Sequence, residues 1–154
     1  MNVYRARPNS IPWPPLLLVL FGAAAIAAFA ALPLPLVFHL SRLLGAVLIL
    51  AGLAVDFWAM RSLQQAHTTI LPHRGSNHLV TEGPFRFSRN PIYVANLLLL
   101  AGIGLATGNG WFIVVMPFDA LAMHYLAVLR EERHLLAQFG YRYENYCRKV
   151  RRWI

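Results

Sequence analysis

Residues 92–129 read IYVANLLLLAGIGLATGNGWFIVVMPFDALAMHYLAVL. Two apolar blocks, 92–107 and 111–129, flank an uncharged Gly-Asn-Gly turn. A bilayer-spanning helix needs roughly 20 mostly apolar residues, because the hydrocarbon core is about 30 Å thick and a helix rises about 1.5 Å per residue. The stretch therefore predicts a hairpin of two transmembrane helices.

Two further apolar blocks precede this hairpin, at 15–38 and 43–60. The first contains Pro33 and Pro35 near its end, and it follows Arg5 and Arg7 in the manner of a secretory signal peptide. Three more apolar blocks in a chain that is 58% hydrophobic and 13% charged favour a spanning role for it. We therefore expect a single membrane domain, 1–154, folded as an all-α polytopic transmembrane helical bundle of about four spans.

The basic residues predict the orientation of the bundle. Arg42 alone falls in the first outer loop, whereas the other basic residues lie on the side shared by the N-terminal segment, the loop 62–91 with the adjoining Arg61, and the tail 130–154. By the positive-inside rule that side is cytosolic, so we expect a bacterial inner (plasma) membrane protein with both termini in the cytosol. The net charge of +8 suits contact with anionic membrane lipids. No nucleic-acid-binding motif accompanies these charges, so nucleic acid is not an expected partner.

The tail carries an apolar stripe at spacings of three, four and seven residues, which predicts an amphipathic helix. The stripe consists of Leu135, Leu136, Phe139, Tyr143, Tyr146 and Val150. Gly140 interrupts the stripe and predicts a break in the helix. The helix suits two compatible roles: lying along the membrane interface, or forming a wall over a site.

Charged groups inside spans are costly, so Asp56 and Asp119 are candidates either for a polar cavity or for hydrogen bonds between helices. His124 lies about one turn beyond Asp119 and could face the same cavity. The lone Cys147 excludes an intramolecular disulfide, and the histidines lack the paired spacing of a metal site. We therefore expect no bound metal.

Glu131 and Glu132 follow at the cytosolic end of the last span. Neighbouring residues on a helix point about 100° apart, so one glutamate can face a site while the other pairs with Arg130 or Arg133. Carboxylates are unfavourable at a helix C-terminus, which suggests that the helix continues into the tail.

Two long motifs carry a resemblance to a known family. Residues 79–93 match LVTxGPFRxSRNPxY, and residues 131–146 match EExxLxxxFGxxYxxY. Together they resemble the integral membrane methyltransferases related to isoprenylcysteine carboxyl methyltransferase and to phospholipid N-methyltransferases. The resemblance extends from about Thr68 to the end of the chain. The carboxyl methyltransferases usually carry His-Pro where this chain has Asn90-Pro91.

The resemblance implies S-adenosylmethionine as methyl donor and a lipophilic acceptor: a carboxylate, a thiol or an amine. It places cofactor contacts at Asn77, His78, Leu79, Val80, Phe85, Asn90, Pro91, Ile92 and Tyr93. A glutamate of the pair Glu131 and Glu132 completes the set, and we assign Glu132 while leaving the choice open. The candidate catalytic residues are His124, Glu131, Glu132 and Arg89. Two other hypotheses remain: an NADPH-dependent membrane reductase of the sterol-reductase type, and a non-enzymatic membrane module.

Overall fold

The computed structural model describes residues 11–36, 41–66 and 78–154. Within these ranges the chain is helical and contains no strand, so the all-α prediction is confirmed. The helices are α1 (Trp13–Ala31), α2 (Ser41–Gln65), α3 (Pro91–Thr107), α4 (Trp111–Met123), α5 (Leu129–Phe139) and α6 (Tyr141–Lys149). A short 3-10 turn, Gly83–Arg86, precedes α3, and a π-helical segment, His124–Val128, joins α4 to α5.

Three helices have the length and apolar character needed to cross a membrane: α1, α2 and the continuous helix Trp111–Phe139. α3 is apolar but shorter, with 17 residues or a length of about 26 Å. It also packs against both α2 and α4 and has more buried positions than the helices around it. The predicted membrane helical bundle is confirmed, with α3 as its inner helix.

The first helix is shorter than the apolar block that predicts it. We expected a span over 15–38, but α1 ends at Ala31, because Pro33 and Pro35 cannot continue a helix. The chain instead runs extended past the turn between α3 and α4. The backbone N–H of Leu36 donates to the carbonyl of Gly108 at 2.7 Å, and the N–H of Gly110 donates to that of Leu34 at 2.8 Å. These bonds fasten the two helical hairpins together at one end of the bundle.

The other helix boundaries also differ from the prediction. α2 extends beyond the predicted 43–60 and ends at Gln65. Its last turn is polar and can stay helical outside the apolar layer of the membrane. The last span, predicted over 111–129, runs through the π segment to Phe139, which confirms that it continues into the tail. The predicted break at Gly140 is confirmed, and its φ of 51° lies in the region that favours glycine.

At the opposite end, α1 packs against α3 and α4 around a buried cluster of Leu17, Tyr93, Met123, Ala127 and Val128. The side-chain amide of Asn96 in α3 donates to the carbonyl of Pro14 at 3.0 Å, which ties α3 to the start of α1. Asp119 is completely buried in α4, and neither of its carboxylate oxygens has a hydrogen-bond partner among the described residues. Asp56 in α2 is half-buried.

α2 and α3 approach closely along a stripe of glycines. A Cβ atom at Gly45 would lie 2.7 Å from the carbonyl oxygen of Gly102 and closer still to the backbone of Ala106. A Cβ at Gly52 would lie 3.1 Å from the carbonyl oxygen of Ala95. Small residues allow such close backbone packing in membranes, where burial of apolar surface gives no driving force between helices. The stripe therefore sets the position of α3.

We expect Gly45→Ala to lower the free energy of unfolding by about 1–3 kcal/mol, because the new methyl group must displace backbone atoms of α3. Gly22→Ala in α1 is the matched control, since the nearest atom to its new Cβ would lie 3.9 Å away. Thermal or denaturant unfolding in detergent would measure both. Equal stability of the two variants would contradict the close packing of α2 on α3.

Candidate functional site

A glycine allows the loop before α3 to pack closely against α2. Gly83 begins the 3-10 turn with a φ of 61°, and a Cβ there would collide with the side chain of Ser62 and lie 3.2 Å from Nε1 of Trp58. The carbonyl of Phe85, in the same turn, accepts a hydrogen bond from the Tyr146 hydroxyl at 2.6 Å. The loop is thus held between α2 on one side and α6 on the other.

Asn90 starts α3 without capping it. Pro91 occupies the first helical position, as is common for proline, but the Asn90 side chain makes no hydrogen bond to the helix N-terminus. Its amide instead donates to the carbonyl of Arg152 at 2.9 Å, and its backbone N–H donates to Oγ of Ser88 at 3.1 Å. This buried amide therefore connects the loop to the segment that follows α6.

Glu132 is the centre of an ion-pair network. Its Oε1 lies 3.2 Å from an Nη atom of Arg89, and Arg152 holds it with two hydrogen bonds, from Nε at 2.9 Å and from Nη2 at 2.7 Å. The side chains of Arg89 and Glu132 are only 14% and 16% exposed. The hydrogen bond with Glu132 raises the pKa of Arg152 above its usual range. Charge-assisted paired contacts of this kind are both strong and directional.

The two adjacent glutamates diverge, as expected from helical geometry. Glu131 faces α3, where its Oε2 accepts a hydrogen bond from the Tyr93 hydroxyl at 3.2 Å. We expected the glutamate that does not face the site to pair with Arg130 or Arg133, but Arg133 donates to the carbonyl of Leu129 in its own helix at 3.1 Å. Arginines distant in sequence take its place.

A cavity of about 790 Å³ opens beside Glu132. It is lined by Arg89, Leu129, Glu132, Arg133, Leu136, Tyr143, Glu144, Cys147 and Arg148. Arg89 also donates to Sγ of Cys147. Burial, with the nearby charge of Glu132, raises the pKa of the Tyr143 phenol above its usual range, so this hydroxyl stays protonated. The cavity combines arginines and carboxylates with apolar surface from α5.

The structure brings several of the predicted site residues together. Asn90, Pro91 and Tyr93 are buried at the start of α3, with Arg89 and Glu132 beside the cavity. Leu79, Val80, Phe85 and Ile92 are half-buried, and His78 is exposed. Asn77 lies outside the described residues.

His124 is separate in sequence from this group, about two turns before Glu131. It begins the π segment, and its ring meets Tyr125 edge-on at a centroid distance of 5.1 Å. π-Helical turns often occur at functional sites. The catalytic roles given to His124, Arg89 and the two glutamates stay predictions.

Sequence reasoning did not place Arg152 or Cys147 at the candidate site. Arg152 belongs to a cluster of basic residues that we interpreted as setting orientation, and its partner lies 20 residues away across the break at Gly140. Cys147 entered the sequence analysis only as a lone thiol without a disulfide partner. Cys147 lies four residues after Tyr143, on the same face of α6, and this spacing was the available signal that both residues line one wall of the cavity.

Three curated proteins are similar to parts of this chain. The nickel-cobalt-cadmium resistance protein NccN of Alcaligenes xylosoxydans xylosoxydans is 36% identical over 77 residues, which are 50% of this chain and 36% of that protein. The cobalt-zinc-cadmium resistance protein CzcN of Cupriavidus metallidurans is 38% identical over 77 residues, 50% of this chain and 35% of that protein. An uncharacterized protein of Haemophilus influenzae is 35% identical over 63 residues, which are 41% of this chain and its own full length.

This chain thus spans about a third of the length of the two metal-resistance proteins. Within the described residues, no three His, Cys, Asp or Glu side chains gather closely enough to hold a metal ion. No solved structure matches the chain significantly. The sequence profile of the phospholipid methyltransferase family matches residues 40–142, so this membrane protein belongs to the phospholipid methyltransferase family.

Proposed function

We propose that this chain transfers a methyl group from S-adenosylmethionine to a lipophilic acceptor at the cytosolic face of the membrane. Membership of a methyltransferase family supports the reaction class. The observation that carries the proposal is the meeting of two distant motifs at one ion pair, where Arg89 from the loop contacts Glu132 from α5 beside a large cavity. Ligand cavities commonly measure about 300–1,000 Å³, and this one falls within that range.

The residues around the cavity suit this donor chemically. Arg89 lines the cavity, so its guanidinium could pair with the donor's carboxylate. Glu132 could accept a ribose hydroxyl, because a carboxylate has about four acceptor sites and three are used by the arginines. Leu129, Leu136 and Tyr143 offer apolar surface for the adenine.

When bound, S-adenosylmethionine would supply an electrophilic methyl group on a sulfonium centre. The chain's own contribution is then mainly to position the reactants and exclude water, since an in-line displacement depends on alignment. A thiolate or carboxylate acceptor needs no base. For an amine acceptor, Glu131 could take the proton, and the Tyr93 hydroxyl, at 3.2 Å, would keep its carboxylate in position.

The lipid-facing side of the last span suits an acceptor that arrives from the bilayer. Tyr125 is 66% and Leu126 41% exposed on the π segment, one to two turns before the glutamates. Apolar surface at this position lies against lipid, whereas the ion pairs of the cavity need an aqueous side. The proposed site thus adjoins both media.

Purified protein in detergent should bind S-adenosylmethionine and be thermally stabilised by it more than by NADPH, because the cavity's donors and acceptors match the methyl donor. With isotopically labelled donor and a membrane-lipid extract, we expect label in an extractable lipophilic product. Calorimetry and mass spectrometry would measure both effects. Folded protein that binds no donor at high micromolar concentration would refute the proposal, and preferential stabilisation by NADPH would favour a reductase.

Glu132→Gln should weaken S-adenosylmethionine binding by about 10- to 100-fold, since it removes a charged hydrogen-bond acceptor from the cavity and disturbs Arg89. Glu82→Gln, at an exposed position outside the cavity, is the matched control and should bind like the unmodified chain. Isothermal titration calorimetry would compare the dissociation constants. Unchanged affinity of Glu132→Gln would remove this residue from the proposed donor site.

The orientation predicts opposite labelling of two cysteines introduced into a Cys147→Ser background. Arg142→Cys on the exposed face of α6 should react with a membrane-impermeant maleimide only in inverted vesicles, because α6 lies on the cytosolic side. Leu34→Cys, 42% exposed at the other end of the bundle, should react only in cells with an intact inner membrane. The reverse pattern would place the proposed site on the outer face.

A further inference from the structure

The segment after α6 forms a strap across the start of α3. We define the strap as residues 150–153. Its backbone accepts three hydrogen bonds from the loop: from the N–H of Arg89 to the carbonyl of Arg151 at 3.0 Å, and from the Asn90 amide and the Ser88 hydroxyl to the carbonyl of Arg152 at 2.9 and 3.4 Å. Trp153 then packs against the buried cluster that contains Tyr93.

The strap places one arginine over Glu132. Because the backbone of Arg152 is fixed by the loop and Trp153 anchors the next position, the Arg152 side chain reaches Glu132 from a defined direction. It donates to both carboxylate oxygens, at 2.9 and 2.7 Å. A planar guanidinium that contacts both oxygens fixes the rotation of the carboxylate as well as its position. A single contact from Arg89 would leave that rotation free.

We propose that Arg152 is a positioning residue of the donor site, which holds the Glu132 carboxylate so that its remaining acceptor site on Oε2 faces the cavity. This inference rests on the proposed function. Arg152 itself is absent from the residues that line the cavity, so it acts through Glu132. The side chain of Arg152 is 36% exposed and that of Glu132 16%, which places the arginine on the outer side of the pair.

The side chain of Arg152 can be changed without removing the strap. The three hydrogen bonds from the loop end on backbone carbonyls, and these remain in any variant of residue 152. Trp153 also keeps its packing. A substitution of Arg152 therefore removes the side-chain contact with Glu132 while the strap stays attached to the loop.

The test compares Arg152→Gln and Arg152→Lys with the unmodified chain, and uses Lys149→Gln as a control that removes the same charge at an exposed position of α6. We expect Arg152→Gln to raise the dissociation constant for S-adenosylmethionine about tenfold, while kcat at saturating donor changes little. The dissociation constant of Arg152→Lys should lie between those of the unmodified chain and of Arg152→Gln, because lysine restores the charge but not the paired contact. Lys149→Gln should match the unmodified chain.

A double-mutant comparison ties the effect to Glu132. If Arg152 acts through this carboxylate, the double variant Glu132→Gln/Arg152→Gln should bind the donor no more weakly than Glu132→Gln alone. Additive losses, or unchanged affinity of Arg152→Gln, would overturn the proposal while leaving the proposed function intact. If the unmodified chain binds no donor, both the role of Arg152 and the proposed function are overturned. Donor binding by the unmodified chain is therefore measured first. Thermal unfolding without donor would verify that each variant is folded.

Discussion

A carboxylate shared between two arginines holds the polar end of this protein together. Glu132 lies in α5, Arg89 in the loop before α3, and Arg152 in the strap after α6. A largely buried charge without a partner is costly, and breaking a buried pair by removing one member costs about 3–5 kcal/mol. The three segments therefore have a strong electrostatic reason to remain in contact, although 62 residues separate Asn90 in the loop from Arg152 in the strap.

The position of this ion pair depends in turn on the packing of α3. The glycine stripe brings α2 and α3 into close backbone contact, and Asn96 ties α3 to the start of α1. At the other end, the extended chain at Leu34 and Leu36 fastens onto the turn after α3. A helix held on two faces and at one end presents its first residues at a fixed place, and those residues carry the loop of the candidate site.

The sequence predicted the fold better than it predicted the contacts of the site. Apolar blocks predict spans because lipid offers backbone groups no hydrogen-bond partners, so each crossing segment must be helical. The helix ends were less predictable: the extended chain around Pro33 is stabilised by the distant Gly108 and Gly110. The two motifs identified the loop and α5 as candidate site segments. Arg152 gave no such signal, because its contact with Glu132 depends on how the chain turns at Gly140.

The adjacency of Glu131 and Glu132 has a consequence for chemistry at a membrane surface. One carboxylate faces Tyr93 in the buried cluster, and the other faces the cavity with its arginines. Because neighbouring helical residues point about 100° apart, a single turn of helix reaches both an apolar and a polar environment. In the proposed reaction, the polar donor and the lipophilic acceptor would approach from these two environments. Both carboxylates lie on the continuous helix from Trp111 to Phe139. If this helix ended at the membrane surface, it would not carry the two carboxylates into these two environments.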